Sequence, residues 1–254
     1  MSDKSEIGDD REVLRGFIRE VGIKPGPEQP CSYLPGRPLR LVAFRAARLP
    51  PGLYHSIMDL NFRRSGDVFY RPACSGCRQC VALRVPAATF RPNRSQRRCR
   101  ARNRDLAVEI GQFSPTPEKH ALFVRYLEAR HDRQMSAEWD SFRDFLYTSP
   151  IRTHEVTYRL AGRLVGVGIF DVEPQAVSTV YCYFDPDLSA RSIGTFNILW
   201  TIDHCCARGI PHVYLGYYVR DCRRMSYKIG FTPCELLDEQ GRWQPVPSDH
   251  PVVK

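Results

Sequence analysis

Seven arginines stand within one short stretch, at positions 91, 94, 97, 98, 100, 102 and 104. A guanidinium is planar, permanently charged and able to grip two oxygens at once, so a run of arginine rather than lysine suits phosphate binding. Asn93, Ser95 and Gln96 add neutral donors beside it. The run predicts a strip that holds a nucleic-acid backbone without reading its bases, with Arg94, Arg97, Arg98 and Arg102 as the contacts; the plain alternative is a solvated basic helix. Cys74, Cys77 and Cys80 have metal-ligand spacing, and Cys31 is a candidate fourth thiolate. Four sulfurs suit tetrahedral zinc or an iron–sulfur cluster; a tight loop of free, partly buried thiols is the other reading. Cys99, Cys182, Cys205, Cys206, Cys222 and Cys234 mostly sit in apolar runs and read as core.

Tyr217, Tyr218 and Lys228 are candidate catalytic residues. The rings can stack on a base or line a pocket, and the ammonium can meet a phosphate or a developing oxyanion. Tyrosine with one wet end is also ordinary core. Arg37 beside Tyr33, the pair Arg63-Arg64, and Arg71 beside Tyr70 set cations next to rings. A fixed guanidinium in a partly dry pocket selects a carboxylate ligand, because an uncharged one would leave it unpaired. In an extended segment Arg63 and Arg64 face opposite ways, so at most one enters such a pocket; bracing of the fold is the alternative. Arg130-His131 closes a helix, where His131 reads as a base or as a structural histidine.

These groups need elements to hold them. Leu39 to Phe44, Val68 to Tyr70 and Val81 to Val85 have strand character, and Leu53 to Phe62 helical character. Ser114-Pro115-Thr116-Pro117 marks a break. Two helical stripes follow, Leu122-Phe123-Tyr126-Leu127 and Trp139-Phe142-Phe145-Leu146. Then come three strand-like runs, 154–160, 164–170 and 177–184, a long helix over 193–208, a strand at 213–215, a short helix over 222–229 and a last strand at 235–237. That order predicts an α+β fold. The segmentation reads as a polar arm (1–30), a first domain with the cysteine loop and arginine run (31–110), a second domain (111–240) and a tail (241–254).

The chain has 254 residues, 43% of them hydrophobic, enough for a real core. Its net charge of +9 favours a polyanionic partner. No apolar stretch spans a bilayer and the first twenty residues mix both charge signs, so the expectation is a cytoplasmic protein without membrane partners. Ten cysteines then read as thiols, a metal site or redox sensing rather than disulfides.

Several blocks, in order, resemble the bacterial arginyl/leucyl-tRNA–protein transferases of the aspartate/glutamate leucyltransferase type. They are Cys31-Ser32-Tyr33-Leu34-Pro35-Gly36-Arg37, Phe62-Arg63-Arg64-Ser65-Gly66, Tyr70-Arg71-Pro72-Ala73-Cys74, and Phe90 to Arg98. In the second half they are Phe184-Asp185-Pro186, Tyr214 to Val219, and Met225-x-Tyr227-Lys228-x-x-Phe231-x-Pro233. The resemblance implies an N-terminal family domain and a C-terminal N-acetyltransferase-like domain. It implies transfer of an amino acid, leucine in the bacterial branch, from aminoacyl-tRNA to proteins that begin with Asp or Glu, marking them for proteolysis by the N-end rule. No cofactor is then required. Tyr33, Arg37, Arg64, Tyr70 and Arg71 become candidates for the acceptor's acidic start. Eukaryotic relatives carry a cysteine where this chain has Leu34, which counts against a metal.

In acetyltransferases the coenzyme A pyrophosphate meets Arg/Gln-x-x-Gly-x-Gly/Ala. The string here is Arg191-Ser192-Ile193-Gly194-Thr195-Phe196. Phe196 keeps the backbone from a pyrophosphate, so Ser192 and Gly194 suit the tRNA's terminal adenosine better, with Ser192 as an ordinary cap the alternative. The ester is already activated and the attacking α-amine has a pKa of about 7.7–8.0, so positioning and oxyanion hydrogen bonds suffice, with no covalent enzyme intermediate. Other readings are arginyl transfer, a coenzyme A-dependent N-acyltransferase, and a non-catalytic RNA-binding module with a zinc loop.

Overall fold

The computed structural model describes residues 25–130 and 135–247. In chain order its strands are β1 (Gln29–Pro30), β2 (Pro38–Leu39), β3 (Leu41–Arg45), β4 (Arg63–Ser65), β5 (Val68–Pro72), β6 (Val81–Pro86), β7 (Ala107–Gly111), β8 (Thr153–Leu160), β9 (Arg163–Glu173), β10 (Ala176–Phe184), β11 (His212–Tyr218), β12 (Glu235–Leu237) and β13 (Trp243–Pro245). Its helices are α1 (Leu53–Met58), α2 (Arg94–Arg102), α3 (Pro117–Arg130), α4 (Trp139–Leu146), α5 (Ile193–Ala207) and α6 (Arg223–Ser226). An eight-stranded sheet runs β13-β12-β6-β11-β10-β9-β8-β7, and β3-β5-β4 form a smaller one. The expected α+β class holds.

β7 to β10 form an antiparallel meander, and α5 then returns the chain as β11, parallel to β10. The parallel pairing covers only Ala176–Ser178 against His212–Tyr214. Beyond it the strands part: β10 stays on β9 through a bulge near Thr179, while β11 continues on β6 to Tyr218. Both faces of the meander are covered, so β9 is buried almost end to end and its apolar residues run together instead of alternating. On one face Ile198, Leu199 and Ile202 of α5 meet Val156, Val165 and Val177. On the other, Leu122, Phe123 and Phe142 of α3 and α4 meet Val167, Ile169 and Tyr183. Gly168 lets α5 lie close: a Cβ there would fall 1.9 Å from the Asn197 Oδ1 that accepts the Tyr158 hydroxyl.

The boundary expected at 110 falls inside one sheet. β6 lies between β11 and β12, and its Leu83 and Val85 share a core with Val213 and Leu215. β6 is a central strand, its backbone paired with β11 on one edge and with β12 on the other, so the first segment supplies part of the second segment's sheet. Residues 25–30 are tied in rather than loose, since Gly26 N donates to Leu41 O at 2.8 Å and β1 pairs with β2. The expected tail contains β13, whose Trp243 Nε1 donates to Asp59 at 2.9 Å. Residues 1–24, His131 and 248–254 lie outside the described residues. No helix among the described residues is long and apolar enough to cross a membrane.

Candidate functional site

The arginine run is a helix with one buried and one basic face. Asn93 caps α2 through a reciprocal box with Gln96, and Gln96 Nε2 also donates to Gly230 O at 3.0 Å. Its inner face seats on the loop before α5, with Asn103 Nδ2 donating to Arg191 O at 2.8 Å and Cys99 buried against Ser192. Arg94, Arg97 and Arg98 point outward and are exposed. Arg102 bonds the Ala190 carbonyl, and Arg191 forms a bidentate pair with Asp105 at 2.7 and 2.9 Å. The structure thus brings Arg102 to the turn that carries Ser192 and Gly194, while Arg94, Arg97 and Arg98 stand on the exposed face of the same helix. Ser192 does not cap: it adopts a left-handed conformation (φ 55°) and its side chain makes no cap bond. Gly194 lets the Phe184 ring approach to 3.4 Å of where its Cβ would stand. Asp185 fixes this loop from below. Burial opposes its ionisation, yet the Arg163 hydrogen bond, the Asp187 amide and Arg125 hold its carboxyl below the usual value.

A second centre lies on β11. Tyr217 and Tyr218 are adjacent on a strand and face opposite ways, so they do not act together. Tyr218 packs in the main core. Tyr217 faces the cysteine loop, its hydroxyl donating to Asn61 O at 2.8 Å and Tyr70 O at 3.3 Å. Burial pushes its phenol well above the ordinary value. Lys228 Nζ, buried, donates to Tyr217 O at 3.0 Å. Burial first, and then the Arg63 guanidinium, bring the Lys228 ammonium down to about 7, with Cys222 opposing. Arg63 is buried too, on Phe62 O at 2.5 Å and Gly216 O at 3.4 Å, with its guanidinium carbon 5.3 Å from the Tyr217 ring centroid.

Beside Tyr217 a cleft of about 650 Å³ opens between the cysteine loop and the β12–β13 turn. Arg71 lines it, held on Leu60 O at 3.2 Å and over the Phe62 ring at 5.0 Å. Tyr70 packs edge-on to Tyr217 at 6.5 Å, and Tyr33 joins the same half-buried cluster, its phenol raised by burial and then by Tyr70. Arg37 is exposed outside this cluster, near Cys77 Sγ at 3.9 Å.

Arg64 does not serve the cleft. It forms a buried bidentate pair with Asp171 at 2.6 and 2.5 Å and bonds Gly66 O, so its charge is spent on bracing β4 against β9. The opposite facing of Arg63 and Arg64 is as alternation requires, with Arg63 the one beside Tyr217. Cys31, Cys77 and Cys80 cluster with Cys222, and Cys74, whose Sγ donates to Arg40 O at 3.8 Å, stands near Cys80 as well. Among the described residues no group of three or more His, Cys, Asp or Glu side chains could hold a metal ion. Burial first, and then Cys31, Cys77 and Cys74, push the Cys80 thiol up to about 12.

Sequence reading did not single out Asn61 or Arg78, and took Cys222 only as core. Asn61 has a positive φ of 66° and ties the cleft floor to Tyr217; Cys222 is remote in sequence from the cysteines it joins. Arg78 sits within the cysteine spacing and reads there as a spacer.

Two family segments match in order: "Arginine-tRNA-protein transferase, N terminus" over residues 29–98 and its C-terminal counterpart over 118–238. An aspartate/glutamate leucyltransferase of Stenotrophomonas maltophilia (strain R551-3) is 43% identical over 225 residues, covering 85% of this chain and 89% of the relative. One from Chromobacterium violaceum (strain ATCC 12472) is 37% identical over 235 residues, covering 91% and 97%. Among solved structures a looser likeness is a GCN5-related N-acetyltransferase from Anabaena variabilis ATCC 29413, with 14% identity, a TM-score of 0.34 and 84% and 43% coverage. With both segments present in order and such relatives aligned along most of its length, the chain belongs to the arginine-tRNA-protein transferase family.

Proposed function

We propose that this protein transfers leucine from Leu-tRNA to the α-amine of proteins beginning with Asp or Glu, and that the added residue marks them for proteolysis. The observation that carries this is identity of about 40% along nearly the whole chain to relatives named for that activity. The exposed Arg94, Arg97 and Arg98 hold the tRNA acceptor arm, and the Ser192–Gly194 turn receives its end. Arg71 offers the charge that an acidic start needs.

In the reaction the α-amine attacks the ester carbon, a C–N bond forms, and the bond to the ribose oxygen breaks. The amine's proton leaves and the ribose oxygen gains one. Lys228, neutral in part at pH 7, holds the proton between those two events. Tyr217 links the parts: its hydroxyl meets Asn61 at the cleft, and its carbonyl meets Lys228.

The deciding assay supplies purified protein with Leu-tRNA or Arg-tRNA and peptides starting with Asp, Glu or Asn. Leucine should be added to the Asp and Glu peptides only. Addition of arginine instead, or equal use of the Asn peptide, rejects the proposal. The triple variant Arg94→Ala, Arg97→Ala, Arg98→Ala tests the tRNA face. Losing three phosphate contacts should make the slope of log K against log salt shallower by about two to three. An unchanged slope removes this helix from the tRNA contact.

A further inference from the structure

The far end of α5 carries a second basic patch that the transfer chemistry does not use. Trp200 and His204 lie one helical turn apart, on the flank of α5 that faces β8 and β9. Their rings stand 4.9 Å from each other, and both pack on Phe170 of β9, at 6.0 and 5.8 Å. His154 of β8 stacks on the same Phe170 ring at 5.9 Å. Two guanidiniums flank the imidazoles. Arg152 Nε donates to His154 Nε2 at 3.2 Å, and Arg208, exposed where α5 ends, stands near His204. The carboxylates around this end of the sheet are engaged elsewhere: Asp203 pairs with Arg100 of α2 at 2.6 Å, Asp171 is held by Arg64, and Glu173 accepts from the His55 amide at 3.3 Å. Among the described residues neither Arg152 nor Arg208 forms an ion pair. Burial first, and then a neighbouring cation, lowers both imidazoles from their ordinary value: Arg152 acts on His154, and Arg208 followed by His154 on His204. The local field is positive.

Its position fits a nucleic-acid duplex. α2, with exposed Arg94, Arg97 and Arg98, lies toward the β11 side of α5, tied by Gln96 to Gly230 O at 3.0 Å. The patch lies on the β8–β9 side. The ridge of α5 between them is exposed at Asp203 and Cys206, and Arg100 reaches it from α2. From Ser192 to His204 the helix runs about 18 Å, so the patch stands well behind the turn that receives the tRNA's end. Double-stranded RNA presents two phosphate backbones across a wide, shallow minor groove, and proteins hold it by contacts to both. We propose that the acceptor stem lies astride α5, one backbone on the arginines of α2 and the other on Arg152, Arg208, His154 and His204. The proposal rests on the tRNA-donor reading above and adds a second phosphate-binding face to it. The guanidiniums supply charge, and the neutral imidazoles donate ring N–H groups to phosphate oxygens. Such contacts read shape rather than sequence or the ester, so uncharged tRNA meets the patch as Leu-tRNA does.

The double variant Arg152→Ala, Arg208→Ala should weaken binding of an uncharged tRNA about tenfold at low salt, the low end for exposed charge-assisted contacts. The slope of log K against log salt should become shallower by about one to two, as the loss of two phosphate contacts requires. KM for Leu-tRNA should rise with it, while kcat, KM for an Asp-initiated peptide and the melting temperature stay unchanged. Arg45→Ala with Arg48→Ala removes two exposed arginines near β3, outside the main sheet, and should leave the slope as in the wild type. Cys206 gives a reading local to the ridge, because its thiol is exposed. Its alkylation, followed by mass spectrometry of its peptide, should slow as tRNA is added, with a midpoint at the Kd for tRNA. A salt slope unmoved by the patch variant, an equal change in both double variants, or a Cys206 rate indifferent to bound tRNA overturns the patch and leaves leucyl transfer standing. A patch-dependent slope and Cys206 protection in a protein that transfers no leucine would support the patch and reject the wider function. A wild type that binds no tRNA overturns both.

Discussion

In the Lys228→Met variant, kcat for leucyl transfer is expected to fall by about 10²–10⁴-fold, the usual contribution of a positioned proton acceptor. Binding of Leu-tRNA and of an Asp-initiated peptide should change little. The reason is the surroundings of Nζ. It is buried on the Tyr217 carbonyl, with Arg63 as the nearest cation and Cys222 as the group opposing it. Those surroundings bring the ammonium from 10.5 to about 7. The active form is the neutral amine, so kcat of the wild type rises with pH toward about 7 and then levels, and the variant lacks that limb.

Stability supplies an independent reading. The folded pKa lies below the unfolded one, so the unfolded chain binds the extra proton between about 7 and 10.5. Stability from this group therefore rises with pH across that window and is lowest below it. Lys228→Met removes the dependence, and its melting temperature should gain on the wild type more at pH 6 than at pH 9. A variant whose kcat keeps the wild-type limb near pH 7 rules out Lys228 as the proton acceptor.

The second large effect concerns folding. Removing one member of the Arg64–Asp171 pair leaves a buried charge alone, since the two side chains are 1% and 0% exposed. Such a loss costs about 3–5 kcal/mol, a large part of the roughly 5–15 kcal/mol that holds a typical domain together. Arg64→Met and Asp171→Leu should each lower the melting temperature by about 10 °C or more. The double variant should be less damaged than either single one, because no unpaired charge remains. Arg64→Lys should not restore stability, since an ammonium cannot reproduce the fork that meets both carboxylate oxygens. If Arg64→Met melts like the wild type, the pair does not brace β4 against β9, and Arg64 returns as a candidate ligand for the acceptor.

Much was legible before any fold was drawn. The long helix at 193, the meander strands and the two helical stripes announced themselves because apolar periodicity follows directly from which face is buried. The blocks of the family, the basic run and the absence of a long apolar span needed only residue identity and order. The short strands β4, β7 and β13 carried too few residues to show a period, and their pairing depends on strands far away in the chain.

The sequence by itself determined the family, the α+β plan and the positive charge of α2, since these follow from local order and composition. Tertiary structure alone decided which arginine is buried against Asp171 and which stands by Tyr217, because adjacent residues on a strand part to opposite faces and only packing says what each face meets. It also decided that Cys222 joins Cys31, Cys77 and Cys80, and that Arg78 and Glu239 line one cleft. Those relations link positions that are distant along the chain, and a contact of that kind leaves no local pattern in the residues that make it.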